Sequence, residues 1–554
     1  MRKIFVISAI IIVITITSCG HYGKGELVGV PRNIWYTPDP FGMLFIPPGS
    51  FQMGPSDQDV PYAMTAQSKT VTLQGFWMDE TEITNSQYRQ FVYWVRDSLA
   101  LTVLGKESKA STDFGDINPR ANYQAIDFII TERQVSEVAQ NFISNMYDGG
   151  EFDFDDHDNK NFLNWRGPLD HNDLEIKGIL VKNEIPGSFN QTLYVLPPAD
   201  IYHFMRNIDL NTDALYYEYF WIDLKQAAQK NSFRDSPAGD PEQDVVRTFD
   251  RQADHGLRIG RHFNPTTGQY QGQIKDREEL KEGAEWEDFA DREVRSYDGS
   301  SDEGRRGGRY SFFMKEKVHI YPDTLCWISD FTYSYNEPMT EMYFWHPAYD
   351  FYPVVGVSWV QANAFSKWRS QLKNSFQRTS RDYYLNQYRL PTESEWEYAA
   401  RGGLDLSMYP WGGLYTRNYQ GCFIANFKPM RGNYAVDGGI HTLMVASFDP
   451  NEWGLYDMAG NVAEWTSNAF DESAYNFTHD LNPDYHYHAH PDDPPVLKRK
   501  VIRGGSWKDV AYYMQNGTRT FEYQDSAKSY IGFRNVRTYL GRHRADGTSY
   551  SQIY

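Results

Sequence analysis

The chain has 554 residues, of which 41% are hydrophobic and 16% aromatic, and its formal net charge is −19. This length is too great for one ordinary domain core and predicts one large, elaborated domain or two domains. The negative charge argues against a nucleic-acid partner, because nucleic-acid phosphates would be repelled. With 42 glycines and 27 prolines, the chain is expected to contain many turns rather than long helices.

The first residues have the pattern of a bacterial lipoprotein signal peptide. A short basic end precedes an apolar stretch at 5–16, which is too short for a comfortable membrane span, and small residues then lead to Cys19. We expect a signal peptide at 1–18, acylation of Cys19 and a lipidated tether over 19–40. A plain secretory signal that is cleaved elsewhere is the alternative.

Cysteine is scarce in the rest of the chain. Only Cys326 and Cys422 follow Cys19, so the chain is not a disulfide scaffold. These two cysteines could pair with each other or remain buried as small apolar residues, and the sequence leaves both alternatives open.

The composition changes twice along the chain. Residues 41–95 and 346–540 carry compact motifs rich in Trp and Gly, whereas residues 96–345 contain long charged stretches. We therefore predict one domain built from the two motif-rich blocks, an acidic insertion at 96–345 and a C-terminal tail at 541–554.

The first block begins with residues 41–54, which predict a strand, a Pro-Gly turn and a second strand. Leu44 and Ile46 of the first strand, and Phe51 and Met53 of the second, are expected to point inward.

A helix is predicted to follow within residues 75–92. Thr84 is a suitable N-terminal cap, and Tyr88, Phe91 and Val92 fall on one face of the helix that it would cap.

The second block opens at 352–368, which predicts a buried strand followed by a helix. Downstream, Thr392 and Glu395 have the spacing of a capping box, and Gly402 is placed to end the helix that they begin.

Several short motifs occur in a fixed order along both blocks. They are FGMLFIPPGSFQMG, GFWMDETEITNSQYRQFV, YPVVGVSWVQANAFSKW, YRLPTESEWEYAARGG, YPWGG, WGLYDMAGNVAEWTSNAF, RGGSW and GFR. Together they resemble the formylglycine-generating enzyme (sulfatase-modifying factor) family. The resemblance implies an α+β fold, a C-type-lectin-like variant with low regular secondary structure, here with a large insertion.

The resemblance also locates the positions of the family's catalytic residues. In the enzymes, an RGGS-type strand leads to two cysteines that bind copper(I), and the matching positions here are Asp509 and Met514. A hard carboxylate and a single thioether cannot reproduce a site made of two thiolates. We therefore expect no enzyme activity and no copper, with Ser506 serving as a residue that bonds the backbone.

The family's structural calcium sites imply two sets of oxygen ligands in this chain. The first set is Asn426, Phe427, Asp437 and Gly439, and the second is Gly460, Asn461, Val462 and Glu464. In the alternative interpretation, the two asparagines brace turns and the acidic residues are solvated.

His486, His488 and His490 alternate in a stretch followed by prolines. On a strand they would share one face, as transition-metal ligands can, but the prolines favour a loop.

Longer stretches are similar to the GldK/PorK-type lipoproteins of the type IX secretion and gliding-motility machinery, with GldJ-type lipoproteins as the near alternative. These stretches are residues 25–54, 79–98 and 318–359. The resemblance implies a non-catalytic lipoprotein on the periplasmic face of the outer membrane, which self-associates into a ring with a GldN/PorN-type subunit. Residues 331–353 are either a contact surface of that ring or part of the core.

Two other functions remain open at this stage. C-type-lectin-like folds often bind glycans or peptides through variable loops, so a periplasmic ligand-binding lipoprotein is one alternative. A sulfatase-modifying oxidase is the other, and Asp509 and Met514 count against it.

Overall fold

The structure is a computed structural model that describes most of the two motif-rich blocks and part of the region between them. The described residues are 39–56, 62, 65–113, 129–130, 162–163, 171, 174–185, 191–195, 209–222, 262–264, 269–271, 313–334, 337–380, 386–429, 439–489 and 493–540. Residues 41–539 form one compact unit. A second unit comprises 1–40 and 540–554, and its described residues are Asp39, Pro40 and Leu540.

Regular secondary structure is sparse and mixed, as the sequence predicts. The strands are β1 (Met43–Ile46), β2 (Gly49–Met53), β3 (Lys69–Leu73), β4 (Phe76–Asp79), β5 (Ile129–Ile130), β6 (Phe162–Leu163), β7 (Tyr194–Val195), β8 (Asp209–Leu210), β9 (Tyr216–Ile222), β10 (His262–Asn264), β11 (Gln269–Gln271), β12 (Phe313–His319), β13 (Tyr388–Arg389), β14 (Ala463–Ala469), β15 (Arg499–Arg503), β16 (Thr520–Tyr523), β17 (Ile531–Gly532) and β18 (Val536–Thr538). The helices are α1 (Asn85–Asp113), α2 (Leu174–Lys182), α3 (Pro338–Met342), α4 (Trp359–Ser380), α5 (Glu393–Arg401) and α6 (Ala474–Phe477). Contrary to the expectation from composition, α1 and α4 are long, at 29 and 22 residues. Within the described residues, none of the helices combines the length and the apolar character needed to cross a membrane.

Two four-stranded sheets organise the described part of the chain. One has the order β1-β4-β18-β13, with antiparallel neighbours, and the other has the order β16-β15-β14-β17, in which β14 and β17 are parallel. The two strands predicted within 41–54 exist, but they do not pair with each other, because β1 pairs with β4 and β2 with β3. Phe51 and Met53 are buried as predicted, and so is Ile46, while Leu44 is only half-buried.

The prediction for the first helix is confirmed. The Thr84 hydroxyl accepts a hydrogen bond from the N–H of Gln87 at 3.3 Å, so Thr84 caps α1. Tyr88, Phe91 and Val92 are all buried on the inner face of the helix.

The prediction of a strand before α4 is wrong. Residues 354–358 are extended and buried but belong to no strand, because their N–H groups bond to separate partners. Val354 donates to the carbonyl of Ile83 at 2.8 Å, and Gly356 donates to the carbonyl of Lys528 at 2.9 Å. Gly356 also has a φ of 72°, which interrupts the extended conformation.

The capping box of α5 is confirmed in both directions. The Thr392 hydroxyl accepts from the N–H of Glu395 at 3.2 Å, and the Glu395 carboxylate accepts from the N–H of Thr392 at 2.9 Å. Gly402 ends the helix in a left-handed conformation, with φ of 58°.

The largest core cluster unites the family-like blocks with parts of the region at 96–345. Phe91 of α1 packs edge-on against Tyr217 of β9 at 5.3 Å between ring centroids, and at a tilt of 38° against Trp368 of α4 at 5.1 Å. The Tyr217 hydroxyl donates to Oε1 of Gln371 at 2.6 Å. The antiparallel pair of β9 and β12, which lies within 96–345, is therefore packed into the same core as α1 and α4.

We expect Phe91→Ala to lower the free energy of unfolding by about 3–5 kcal/mol, because a large ring is lost from a site that has no room to collapse. Tyr93→Ala on the same helix is the matched control. The Tyr93 side chain is 45% exposed and makes one cation–π contact with Arg96. Its removal should lower the free energy of unfolding by at most about 1 kcal/mol. Urea denaturation of both variants measures the difference, and equal losses would contradict the packing described here.

Candidate functional site

The loop that follows β15 carries the positions matched to the family's catalytic residues. Gly504 and Gly505 both have positive φ, at 92° and 68°, and turn the chain immediately after the strand. A Cβ at Gly505 would lie 3.0 Å from the carbonyl oxygen of Tyr513, so the close approach of residues 511–514 favours glycine there. The turn delivers Ser506 and Trp507 into the interior, where both are buried.

The Ser506 hydroxyl bonds the side chain of Asp509 and not the backbone, so the role predicted for it is wrong. Its Oγ donates to Oδ2 of Asp509 at 2.6 Å, and the N–H of Asp509 donates to the carbonyl of Ser506 at 2.9 Å. Burial raises the pKa of Asp509, while the hydrogen bonds from Ser506 and the charge of Lys508 act in the opposite direction. The two residues therefore form a small closed unit in which the hydroxyl hydrogen of Ser506 points at the Asp509 carboxylate.

Met514 occupies a different environment from Asp509. Its side chain is fully buried in a cluster with aromatic and other apolar residues, among them Met408, Phe423 and Phe427. A thioether in this setting acts as a packing group.

The two cysteines of the described region lie in different environments. Both are free, with Cys326 buried beside Trp507 and Cys422 half-buried, so the pairing left open by the sequence is not formed. Burial raises the pKa of the Cys326 thiol well above its usual range, and the nearby Asp323 and Asp330 carboxylates add to this effect. The thiol is therefore protonated and unreactive near neutral pH.

The two sets of expected calcium ligands meet at one place in the fold. The Asn426 amide donates to Oδ1 of Asn461 at 3.3 Å, and the N–H of Asn461 donates to the Asn426 carbonyl at 2.8 Å. Each amide oxygen also receives a backbone N–H, from Gly439 at 3.0 Å for Asn426 and from Leu443 at 2.9 Å for Asn461. Both asparagines therefore brace backbone, and Asn461 does so in the left-handed region at φ of 58°.

Three other residues of the expected ligand sets make specific contacts with their neighbours. They are Gly460, Val462 and Phe427. Gly460 has φ of 83°, and a Cβ there would lie 2.4 Å from the carbonyl oxygen of Asn426. Val462 donates its N–H to Oε1 of Glu82 at 3.2 Å, and the Phe427 ring packs edge-on to Phe423 at 5.3 Å.

Glu464 is neutralised by a buried arginine. Arg534 donates from Nε and Nη2 to the Glu464 carboxylate at 2.6–2.9 Å, and Nε1 of Trp396 donates to it at 2.8 Å. The carboxylate oxygens are thus already occupied by strong donors, and a guanidinium stands beside them. This donor set does not fit a calcium ion.

Glu82 is a buried acid that sequence reasoning missed. Its pKa is raised well above the usual range, first by burial and then by the charges of Asp457 and Glu464. Burial also raises the pKa of Asp457, to about 6. Only the position of Glu82 in the motif DETEITN could have drawn attention to it.

Three of the predicted residues, Cys19, Asp437 and His490, lie outside the described residues. His486 and His488 lie in a loop, as the prolines indicated, with ring centroids 5.4 Å apart. His488 stacks on Trp221 at 4.4 Å. In the part of the chain that the structure describes, no group of three or more His, Cys, Asp or Glu side chains is arranged to hold a metal ion.

Comparison with known families gives one match that covers more than half of the chain. The family is described as "Sulfatase-modifying factor enzyme 1-like domain", and residues 37–192 and 308–539 match it.

Curated relatives include both active and inactive enzymes. The chain is 35% identical over 189 residues to "Inactive C-alpha-formylglycine-generating enzyme 2" of Bos taurus, which covers 33% of this chain and 49% of that protein. It is 34% identical over 187 residues to "Formylglycine-generating enzyme" of Streptomyces coelicolor. That match covers 33% of this chain and 52% of that protein. The chain thus spans about half the length of the curated relatives that it matches.

Among solved structures, PvdO from Pseudomonas aeruginosa is similar at 26% identity. The match covers 34% of this chain and 63% of that chain, with a TM-score of 0.28.

We expect Asp509→Asn to change how stability depends on pH. The raised pKa of Asp509 means that the folded state holds the proton more tightly than the unfolded state. Wild-type stability should therefore fall as pH rises from about 4 through the folded pKa, and the variant lacks this contribution. Urea denaturation between about pH 4 and 7 should show the variant gaining stability relative to wild type as pH rises.

The control is Asp405→Asn, at an exposed turn position, which should follow the wild-type curve. If wild type instead gained stability relative to Asp509→Asn as pH rises, this result would contradict a raised pKa of Asp509.

Proposed function

The chain belongs to the family of proteins with a sulfatase-modifying factor enzyme 1-like domain, and we propose that it is a non-catalytic structural member of that family. In this proposal, a lipid on Cys19 anchors it to the periplasmic face of the outer membrane. It forms a ring scaffold of the type IX secretion and gliding-motility machinery, of the GldK/PorK type, together with a GldN/PorN-type subunit. The observation that carries the non-catalytic part is the pair Asp509 and Met514 at positions where the chemistry needs two thiolates.

The geometry around these positions supports the loss of catalysis. Asp509 is bonded to Ser506, Met514 is a buried packing residue, and the thiol of Cys326 is held protonated. Inactive proteins exist among the relatives. Copper(I)-dependent oxidation of a cysteine peptide by the purified protein would overturn the non-catalytic assignment.

A closed ring requires contacts between different faces of identical subunits. Of the aromatic residues at 331–353, Tyr343 and Phe344 are buried, whereas Tyr333, Trp345 and Phe351 are exposed. The segment therefore contributes both to the core and to the surface. Exposed aromatic residues are favoured anchors at interfaces, so we place a subunit contact at these three rings.

Binding of a glycan is the second candidate function, and one surface feature favours it. Tyr415 and Tyr419 are 79% and 95% exposed on the loop between Trp411 and Phe423. Flat aromatic faces beside polar groups suit stacking against sugar rings. As part of this proposal, we propose that the fold is C-type-lectin-like. Folds of this kind bind ligands through their loops. Retention of the protein on peptidoglycan, with loss on Tyr419→Ala, would favour this candidate.

We place a structural calcium ion at the first ligand set rather than the second. Glu464 of the second set is paired with Arg534, whereas the first set combines Asn426 with the carbonyl groups of Phe427 and Gly439 and with Asp437. Calcium bound there would replace the N–H of Gly439 as the partner of the Asn426 amide oxygen.

Add-back of calcium after thorough chelation should raise Tm by about 2–4 °C at a concentration about 100 times Kd, a modest shift because the folded unit is large. Asn426→Ala should abolish the calcium-dependent rise, while Asn418→Ala, at an exposed turn, should keep it. A wild-type protein whose Tm does not respond to calcium would contradict the proposal.

The scaffold proposal is tested by gentle detergent extraction of the native protein, followed by sizing and mass spectrometry. We expect a very large assembly with one near-stoichiometric partner. Cys19→Ala should move the protein into the soluble fraction, because acyl chains provide the membrane affinity. Cys422→Ser is the matched control and should remain in the membrane fraction. A lone wild-type monomer would contradict the scaffold.

A further inference from the structure

Residues 323–334, here called the cap segment, lie against the loop that follows β15. The segment begins at Asp323, whose N–H donates to the carbonyl of Gly356 at 2.8 Å and whose carboxylate accepts from the N–H of Leu325 at 2.9 Å. A Cβ at residue 356 would lie 2.3 Å from the carbonyl oxygen of Asp323, so only glycine permits this approach. The entry into the cap segment is therefore fixed.

Aromatic stacking joins the cap segment to the loop. The Trp327 ring stacks on Trp507 at 5.8 Å between centroids with an interplanar angle of 24°, and the Phe331 ring stacks on Trp507 at 5.7 Å and 20°. These contacts belong to a small apolar cluster that is separate from the main core. Stacked aromatic pairs of this kind stabilise beyond the area that they bury.

A polar clasp holds the same segment. Asp330 accepts hydrogen bonds from Nζ of Lys508 and from Oγ of Ser529. The Lys508 side chain is 45% exposed, so solvent reaches the ion pair and screens it. The clasp is therefore weaker than the buried ion pairs elsewhere in the fold.

The cap segment is one layer thick. Trp327 and Phe331 face the domain, while Leu325, Ile328 and Tyr333 are exposed on the outer side. Its displacement would uncover Trp507, flanked by Lys508 and Ser529. An aromatic face beside a cation and a hydroxyl is complementary to a peptide that carries an aromatic residue next to an aspartate, as Asp330 and Phe331 do.

We propose that the cap segment is an intramolecular ligand: it occupies the Trp507, Lys508 and Ser529 surface and is released from it as a unit while the rest of the domain stays folded. The surface is then a binding site for an aromatic-acidic peptide segment, and the chain fills this site with its own residues. The proposal stands on these contacts and does not depend on the scaffold function.

The native cysteines provide a reporter of release. Cys326 lies within the cap segment and is buried beside Trp327, whereas Cys422 is half-buried in a separate loop. A thiol reagent reacts with a buried cysteine only when the structure around it opens. The reaction rate of Cys326 therefore measures release of the cap segment, and Cys422 serves as the internal standard.

The experiment compares wild type with Asp330→Ala/Phe331→Ala in the full-length protein in detergent. Alkylation with a maleimide is followed by peptide mass mapping. We expect the double variant to label Cys326 about tenfold faster or more, with an unchanged rate at Cys422. Lys508→Ala, which removes the ion pair with Asp330 and a cation–π contact with Tyr530 but leaves the aromatic stacking, should give a smaller acceleration. Leu325→Ala, in the same segment with a side chain that is 66% exposed, should label like wild type.

A fluorescent synthetic peptide with the sequence of residues 323–334, carrying Cys326→Ser, tests the binding site directly. It should bind the double variant and not the wild-type protein. Unchanged labelling of Cys326 in both the double variant and Lys508→Ala would overturn release of the cap. Equal acceleration at Cys422 would overturn it as well, because opening would then involve the whole domain. If a variant labels faster at Cys326 but does not bind the peptide, the proposal that this surface is a binding site is overturned.

Discussion

A buried guanidinium fixes the position of the candidate site. Arg503, the last residue of β15, is almost fully buried and donates from Nη2 to Glu393 at 2.7 Å and to Glu397 at 2.9 Å, one turn apart on α5. Its Nη1 donates to the carbonyl groups of Asn516 and Thr518 at 2.8 and 3.0 Å. Because a buried charge without partners is strongly destabilising, β15 cannot shift relative to α5 or to the segment at 516–518. The glycine turn and Ser506 follow directly, so their position is set by this contact.

The two glutamates that pair with Arg503 are also held in place by further partners. Burial alone would raise the pKa of Glu393, but Arg519 and Arg503 outweigh it and hold that pKa below its usual range. Glu397 also accepts from the N–H of Gly54 at 2.8 Å, which ties β2 to the same helix. Asp509 and Met514 are not part of this framework, so the network does not constrain which side chains stand at those two positions.

What the sequence predicts well is local. The capping box at Thr392 and Glu395 and the buried face at Tyr88 and Phe91 depend on spacings within one or two helical turns, and both are confirmed. Strand pairing is not local, so the sequence predicted β1 but could not show that it pairs with β4 and, through β4, lies beside β18. The extended segment before α4 has a strand-like composition, yet its partners at Ile83 and Lys528 come from distant parts of the chain.

In the candidate site too, local features could be predicted from the sequence, whereas contacts between distant residues could not. The positions of Ser506, Asp509 and Met514 could be assigned by counting along a motif. The ion pair of Glu464 with Arg534 could not be predicted, because the two residues are far apart in sequence, yet it occupies the Glu464 carboxylate that the second ligand set would need.

The stacking of Trp327 and Phe331 on Trp507 is likewise non-local. It joins the region predicted as an insertion to the loop that follows β15. The stacking removes the aromatic face of Trp507 from water, which stabilises the folded state. The same segment presents Leu325 and Tyr333 outward, so it also forms part of the surface beside that loop.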